Sequence, residues 1–315
     1  MTKSVLSSTA IRSGIRFMIS GVLLYVLLRL TNIDDVINAL KRADIRYIAG
    51  AFLLLVFNLG FQILKWKYLL KTTGSSSLLR DALSSFLFGV TLGSLTPGQV
   101  GEFGGRALTL HARSGIVVGL TIIDKFQIFT IMSIAGVFSL VRLLRIDSLP
   151  ILASAIAGVT IMVLLMIRPA LLRRLLNTVG ISRLKHRWVN DILDSLSLLS
   201  SRDLVITITL TILFYVTVYF QLLLLFSAFS FFLPVQVFLG YSAMMLLKSL
   251  LPISIADLGT RELGLVYFMS MQGIPKAVSF NASILLFSMN ILIPALCGLA
   301  FFPKNLSRSR PSQHE

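Results

Sequence analysis

Long apolar stretches separated by short polar and basic segments run through the whole chain. A helix needs about 20 predominantly apolar residues to cross the hydrocarbon core of a bilayer. The apolar stretches between charges predict six full spans, near residues 14–31, 47–70, 115–141, 149–168, 203–227 and 277–302. No small-residue cleavage site of the usual kind follows the first span, so we expect that span to remain as an anchor.

Two further apolar stretches are shorter, and each ends at a proline before a second short segment. They are residues 82–96 followed by 103–113, and residues 236–251 followed by 261–273. A proline breaks a helix, and the backbone groups that it frees at membrane depth have to be satisfied by protein. The pattern therefore predicts two re-entrant helical hairpins, with their turns at Pro97, Gly98 and Pro252.

The two hairpins coincide with an internal repeat. The segment LGSLTPGQVGEFGGR, from Leu92 to Arg106, returns 155 residues later as LKSLLPISIADLGTR, from Leu247 to Arg261, with six of the fifteen positions identical. Three predicted spans lie between the hairpins, and an odd number of crossings makes them enter from opposite sides. This is the inverted-repeat plan of many transporters. We therefore expect an all-α integral membrane protein with about six full transmembrane helices and two re-entrant hairpins, whose turns approach each other near the midplane.

One polytopic membrane domain accounts for almost the whole sequence. Its predicted parts are a domain at 1–302, with half one at about 10–145, half two at about 146–302, an interfacial amphipathic helix in the loop 168–203 and a disordered tail at 303–315. With both termini in the cytoplasm, most basic residues, Lys65 among them, fall on the inner face. The positive-inside rule then predicts a multi-pass protein of a prokaryotic plasma membrane.

Composition narrows the function classes. A chain that is 56% hydrophobic and only 13% charged is too apolar for a soluble domain, and the net charge of +16 indicates basic loops beside anionic lipid rather than nucleic-acid binding. Cys297 is the one cysteine, and three scattered histidines match no metal-ligand spacing. We expect no metal or cofactor and expect membrane lipids as partners. The oligomeric state stays open, with a homodimer among the alternatives.

Each copy of the repeat places an acid four residues before an arginine, as Glu102 with Arg106 and as Asp257 with Arg261. On a helix these residues share a face and form a favourable pair. Ionisable groups at membrane depth are costly and usually functional. A lipid phosphate can use the arginine donors that a carboxylate leaves over. The alternative is that each pair neutralises itself and only fixes the hairpin.

Hydroxyl side chains near the two turns are predicted to start the second helix of each hairpin. Thr96 is a candidate cap ahead of Pro97, and Ser254 with Asp257 matches a capping box. Helix amino termini at the turns would attract an anion. The predicted substrate-binding residues are therefore Arg106, Arg261, Glu102, Asp257, Glu262, Thr96 and Ser254.

Three more charged residues, Asp124, Lys125 and Lys248, are candidates for coupling or for ion pairs. Asp124 either carries a coupling proton or forms a structural ion pair with Arg106. Four acids balance four bases in the predicted cluster, which consists of Glu102, Asp124, Asp257 and Glu262 with Arg106, Lys125, Lys248 and Arg261. A neutral cluster favours a zwitterionic substrate, or an anion that displaces an internal carboxylate.

The segments TPGQVGEFGGRALTL and LPISIADLGTRELGLVYFMSMQGI resemble the two signature regions of the lysylphosphatidylglycerol synthase transmembrane family of flippase-like proteins. That family includes the amino-terminal flippase half of the bacterial multiple peptide resistance factor. The resemblance implies a helical bundle that moves a lipid between leaflets, with Glu102, Arg106, Asp257, Arg261 and Glu262 at motif positions. The sequence departs from the family pattern at Asp124, Lys125, Lys248 and Asp257.

Three functions remain open at this stage. The first is a lipid flippase or translocator of a lipid-linked intermediate, in which Arg106 and Arg261 alternately hold the head group. The second is a secondary transporter of a small anion or amino acid, which an inverted repeat would also serve. The third is a membrane-embedded enzyme for lipid head groups, but the chain has no recognisable nucleophile or metal constellation. We therefore expect a transporter without aminoacyl transfer.

Overall fold

Most of the chain is helical in the part that the computed structural model describes, which comprises residues 33–73, 79–96, 98–110, 113–178, 187–251 and 256–301 with Tyr25 and Ser254. In chain order the helices are α1 (Ile33–Lys41), α2 (Ile45–Lys71), α3 (Leu79–Ser94), α4 (Gly101–Leu108), α5 (Ser114–Leu144), α6 (Leu149–Ile167), α7 (Pro169–Thr178), α8 (Arg187–Ser195), α9 (Ser201–Ala228), α10 (Pro234–Leu250), α11 (Thr260–Ser270) and α12 (Lys276–Phe301).

Five of these helices, α2, α5, α6, α9 and α12, are long and apolar enough to cross a membrane. They match five of the six predicted spans to within three residues at each end. The remaining predicted span, at 14–31, lies outside the described residues apart from Tyr25, and so does the predicted tail. The prediction of an all-helical, multi-pass membrane protein is therefore confirmed.

Short polar segments set the ends of the long helices. Ser200 begins α9 with a capping box, because its hydroxyl accepts from the Asp203 amide at 3.2 Å and the Asp203 carboxylate accepts from the Ser200 amide at 3.1 Å. Arg145 ends α5 in a left-handed conformation, with φ of 50°. Within α12, Pro294 has no amide to bond to the Asn290 carbonyl, and a π-helical turn, Ser288–Leu292, precedes it.

The two hairpins are present as pairs of packed short helices, α3 with α4 and α10 with α11. In the first pair glycines allow the close approach: a Cβ on Gly105 would lie 2.8 Å from the Gly89 Cα atom. The second pair has a different turn from the predicted one. Ala256 and Asp257 adopt φ of 52° and 60°, so the helix begins at Thr260 rather than after Ser254. The capping-box prediction at Ser254 is wrong.

Packing between helices is the same when the two halves are exchanged. Helix α2 packs against α9, its counterpart in the repeat. The pair α3 and α12 corresponds to α10 and α5, and the pair α4 and α5 corresponds to α11 and α12. Even the short helices follow the rule, since α1 packs on α12 as α8 packs on α5. Each hairpin is thus wedged between the long helices of both halves.

The loop between the halves contains two short helices, α7 and α8, where a single interfacial helix was predicted over 168–203. Helix α8 lies against α5 because Gly115 and Gly119 leave room there for Asp191 and Ser195. Arg173 and Asp194, 2.9 Å apart, join α7 to α8 at the exposed surface.

Candidate functional site

A cavity of about 370 Å³ lies between the two hairpins. Residues of α2, α3, α4, α5, α9, α10, α11 and α12 line it together with both hairpin turns. Most of the wall is apolar, including Phe86, Phe129 and Tyr241. The charged side chains that line it are Glu102, Lys125, Lys248, Asp257 and Arg261. Each half of the repeat therefore contributes charges to one shared space.

Arg106 is buried behind the cavity wall. Its guanidinium forms an ion pair with Glu102, as the i, i+4 spacing predicted, and its Nη1 atom lies 3.0 Å from Asp124 Oδ2. The same guanidinium stacks over Trp66, with its central carbon 4.3 Å from the ring centroid. Gly89 makes room for it, since a Cβ there would lie 2.6 Å from Arg106 Cγ. Arg106 does not line the cavity among the described residues, although it was expected to bind substrate.

Lys65 joins this cluster and was not predicted to do so. It is 2% exposed in α2, with its ammonium 2.7 Å from Asp124 Oδ1 and 3.1 Å from the Asp124 carbonyl oxygen. Lys65 is therefore buried among the helices, and the side of the membrane to which it was assigned stays a prediction. Asn58, Gln62 and Lys65 follow each other at helical spacing on the face of α2 that packs inward. That polar stripe is the sequence signal that would have found Lys65.

Lys125 is the residue at which the ion pairs of the first half reach the cavity. Its ammonium lies 2.5 Å from Glu102 Oε2, and about a third of its side chain is exposed. The contacts therefore form one continuous series, from Lys65 through Asp124, Arg106 and Glu102 to Lys125. Asp124 is held between two cations, so of its two predicted roles the structural ion pair with Arg106 is present.

The second-half acid has a different partner from the predicted one. Asp257 lies in the turn before α11, and its Oδ2 atom is 2.6 Å from the Lys248 ammonium on α10. It makes no ion pair with Arg261 among the described residues, because Asp257 itself has left-handed backbone and two further turn residues separate it from the helix that carries Arg261. Gln99 of the first turn donates to the same Asp257 oxygen at 3.4 Å. The two hairpin turns therefore meet, as predicted.

Arg261 faces the cavity with part of its guanidinium unused. Its Nε atom lies 3.3 Å from Glu262 Oε1, and its central carbon is 4.8 Å from the Phe287 ring centroid. The Nη2 atom is buried and has no hydrogen-bond partner among the described residues. Glu262 is fully buried, since its second oxygen accepts from the Gly259 amide at 2.7 Å and Ser283 donates to the first at 3.3 Å.

The hydroxyl candidates serve their own turns. Thr96 was predicted to cap a helix with Pro97 at its first position, which is wrong, because α4 begins at Gly101, whose amide donates to the Thr96 hydroxyl at 2.6 Å. Ser254 shares a hydrogen bond of 2.9 Å with Thr260. Neither is among the described residues that line the cavity, whereas Gly98 is. The predicted turn residues Pro97 and Pro252 lie outside the described residues.

The cluster carries a net positive charge, contrary to the predicted neutrality. Lys65 adds a fifth base, so five bases face four acids within the charged groups around the hairpins. The described residues contain no group of three histidine, cysteine or acidic side chains that could hold a metal ion. One positive charge in excess makes the site suited to an anion.

Amide side chains also contribute to the wall of the cavity. Asn58 donates to Gln221 at 3.1 Å, Gln62 donates to Asn58 at 2.6 Å, and Asn290 of the π-helical turn donates to Gln221 at 3.0 Å. These bonds join α2, α9 and α12, as expected for polar residues in apolar helices. Asn58, Gln62 and Asn290 also line the cavity.

Comparison with known proteins gives one result for the chain as a whole. A family model described as the lysylphosphatidylglycerol synthase TM region matches residues 14–298. The match contains both copies of the repeat and every residue that lines the cavity. A search of curated proteins found no match.

Proposed function

Because the chain belongs to the family of the lysylphosphatidylglycerol synthase TM region, we propose that it moves a phosphate-bearing lipid or lipid-linked intermediate between the two leaflets of a membrane. Membership indicates a membrane protein with a lipid-related function. The single observation that carries the proposal further is the charged cavity between the hairpins. Its volume lies within the roughly 300–1,000 Å³ of small-molecule sites, which suits a head group while the acyl chains stay in the bilayer.

The proposed topology has both hairpins re-entering the membrane. At about 1.5 Å per residue, α3 and α10 reach about 24 and 26 Å, which is short of the roughly 30 Å of hydrocarbon. Helices α4 and α11 are shorter still. Gly98, Gln99 and Asp257 of the irregular turns line the cavity, the kind of place in which irregular backbone is tolerated at membrane depth. Both termini lie in the cytoplasm of a prokaryote in this proposal, as the distribution of basic residues predicts.

Exchange of the two halves gives a route to alternating access. The packing pattern is unchanged when the halves are interchanged, so a cavity open to one side has an equivalent that is open to the other. The contact between Gln99 and Asp257 joins the two turns across the cavity. We propose that this contact opens and closes as the head group passes.

Three cations hold the phosphate in this proposal, namely Lys125, Lys248 and Arg261. Arg106 acts indirectly, by fixing Glu102 against Lys125. We propose no enzymatic step, because both carboxylates that line the cavity are paired with lysines and no histidine lies among the described lining residues. Asp257 and Glu262 keep Lys248 and Arg261 in place.

The test uses purified protein in vesicles that contain a fluorescent lipid with a phosphodiester head group. Quenching of the outer-leaflet label by a membrane-impermeant reductant measures the fraction that exchanges leaflets. We expect wild-type protein to increase exchange and Lys248→Met to reduce it at least about tenfold, since the variant loses a charge-assisted contact worth more than about 1.4 kcal/mol.

Arg173→Ala is the matched control, because it removes an exposed cation outside the cavity. Its exchange rate should equal that of wild type. Wild-type protein that leaves anionic and zwitterionic lipids alike in their original leaflet would overturn the proposal. Inhibition by a water-soluble glycerol phosphate without acyl chains, at the same concentration as the lipid, would instead favour transport of a small anion.

A further inference from the structure

We infer that the cavity selects a lipid head group with one net negative charge and a neutral, hydroxyl-bearing portion, and that it discriminates against head groups made cationic by an aminoacyl group. The inference rests on the proposed function and specifies its substrate. The charged side chains that line the cavity support the first part of this inference, and the amide side chains that line it support the second.

Charge balance around the cavity argues for the negative charge. Lys125, Lys248 and Arg261 line it against Glu102 and Asp257, and the buried groups behind the wall, Lys65 and Arg106 with Asp124 and Glu262, cancel each other. The excess is one positive charge. A phosphodiester contributes one negative charge and neutralises it. A lysyl ester of the same lipid adds two ammonium groups, so the complex would contain two excess positive charges in a largely apolar site, which is costly.

The donors that remain unused suit a phosphate. Arg261 Nη2 is buried without a partner among the described residues, and the side chain is 4% exposed. An ammonium has three donors, and described residues occupy one on Lys125 and one on Lys248. Phosphate oxygens accept several such charge-assisted bonds at once. The carboxylates Glu102 and Asp257 are already held by these lysines, so they are poorly placed to receive a cationic head group.

Two amide oxygens in the cavity, those of Asn290 and Gln62, are suited to accept hydrogen bonds from hydroxyl groups. The Asn290 Oδ1 atom is buried and has no donor among the described residues, and Gln62 uses its amide nitrogen on Asn58 while its oxygen receives none of the described bonds. Both side chains line the cavity. A neutral carbonyl oxygen accepts from a hydroxyl without leaving a charge uncompensated. These two oxygens therefore suit a polyol-like or otherwise neutral hydrogen-bond donor, in the part of the head group that follows the phosphate.

The experiment compares four lipids with identical acyl chains in the leaflet-exchange assay and in displacement of a bound fluorescent phosphatidylglycerol. The lipids are phosphatidylglycerol, its methyl phosphodiester analogue without hydroxyls, phosphatidylcholine and lysyl-phosphatidylglycerol. We expect phosphatidylglycerol to displace the probe at least about tenfold better than the zwitterionic and cationic lipids, a difference of about 1.4 kcal/mol. Gln62→Leu with Asn290→Leu should erase its advantage over the methyl analogue.

Gln272→Leu is the matched amide control, because Gln272 bonds to the Gln236 and Phe268 carbonyl oxygens away from the cavity. It should keep the preference for phosphatidylglycerol. Displacement and exchange of the lysyl lipid equal to those of phosphatidylglycerol would overturn the inference and leave lipid translocation intact. Absence of exchange and displacement with all four lipids would overturn the proposed function itself. Lys248→Met should weaken both anionic lipids alike, and an unchanged affinity would contradict the assignment of the phosphate.

Discussion

Arg106 and Arg261 occupy equivalent positions of the repeat, yet the first is enclosed by charge and the second opens onto the cavity. Arg106 contacts two carboxylates and the face of Trp66, and it lies behind the wall. Arg261 contacts the single carboxylate of Glu262 and lines the cavity. Both guanidinium groups have buried nitrogens without a hydrogen-bond partner among the described residues, Nε and Nη1 in Arg106 and Nη2 in Arg261, so the difference lies in access to the cavity. The same motif has therefore produced a buried ion cluster in one half and, in the other, an arginine that lines the cavity and that we propose as a binding group.

Differences outside the motif account for this divergence. The positions 155 residues after Lys65, Asp124 and Lys125 are Phe220, Ser279 and Phe280, so the second half lacks the three charges that surround Arg106. Each acid of the motif still finds a lysine, but from a different helix: Glu102 from α5 and Asp257 from α10. The repeat motif thus predicts the positions of the charged residues. The residues of the surrounding helices then determine which of those charges are paired and which line the cavity.

The largest expected effect comes from breaking the first-half cluster at Asp124. Asp124→Asn leaves Lys65 as a buried cation without its carboxylate and leaves Arg106 with the carboxylate of Glu102 alone. Removing one partner of a buried ion pair costs about 3–5 kcal/mol. We expect little folded protein or a strongly lowered melting temperature in detergent, measured by size-exclusion chromatography after heating. The double variant Lys65→Met with Asp124→Asn should recover part of the loss.

Asp257→Asn tests the same step in the second half, where the acid lines the cavity and pairs with one lysine, whereas Asp124 pairs with two cations. Its melting temperature should fall much less than that of Asp124→Asn. Equal falls for the two variants would contradict the division into a structural and an open cluster.

Conservative substitution of the two arginines gives the next effect. Lysine keeps the charge but loses the planar fork and most of the stacking on an aromatic ring. Arg106→Lys should lower stability by about 1.5–3 kcal/mol, the range for hydrogen bonds to charged groups, measured by thermal unfolding. Arg261→Lys should retain more stability and lose more lipid exchange. The opposite ranking, with Arg261→Lys unfolding first, would reverse the assignment of roles.

Hydrophobic pattern and repeat period were sufficient to predict five long helices, the two short hairpins and the pair of Glu102 with Arg106. They failed at Asp257, since the sequence offered Ser254 as a helix start while the turn adopts left-handed backbone up to Gly259. Lys65 was missed because flanking Lys67 and Lys71 make the end of α2 resemble a loop boundary. The polar stripe that Lys65 forms with Asn58 and Gln62 along one face of α2 is the signal that distinguishes it from Lys67 and Lys71.

Backbone packing of the hairpins offers a smaller contrast. Gly105→Ala places a Cβ 2.8 Å from the Gly89 Cα atom, and only backbone movement could relieve the clash. Gly264→Ala meets the Met244 Cγ atom at 3.0 Å, and a methionine side chain can rotate away. Overpacking of a rigid site costs about 1–3 kcal/mol, so Gly105→Ala should melt at the lower temperature. Gly104→Ala is the control in the first hairpin, since its Cβ would meet nothing within 4 Å.

The smallest effect is expected where the two halves touch. Gln99→Ala removes the hydrogen bond of 3.4 Å to Asp257, a contact long enough that its loss should change stability by less than about 1 kcal/mol. Lys248 still holds Asp257 at 2.6 Å, so the second turn should keep its conformation. If this contact joins the halves during transport, the variant should alter the lipid exchange rate while its melting temperature stays close to that of wild type. Gln272→Ala, which removes an amide away from the cavity, should change neither quantity. An exchange rate equal to wild type in Gln99→Ala would show that the hydrogen bond between Gln99 and Asp257 does not affect the rate of transport. The difference between the halves would then lie wholly in their arginines.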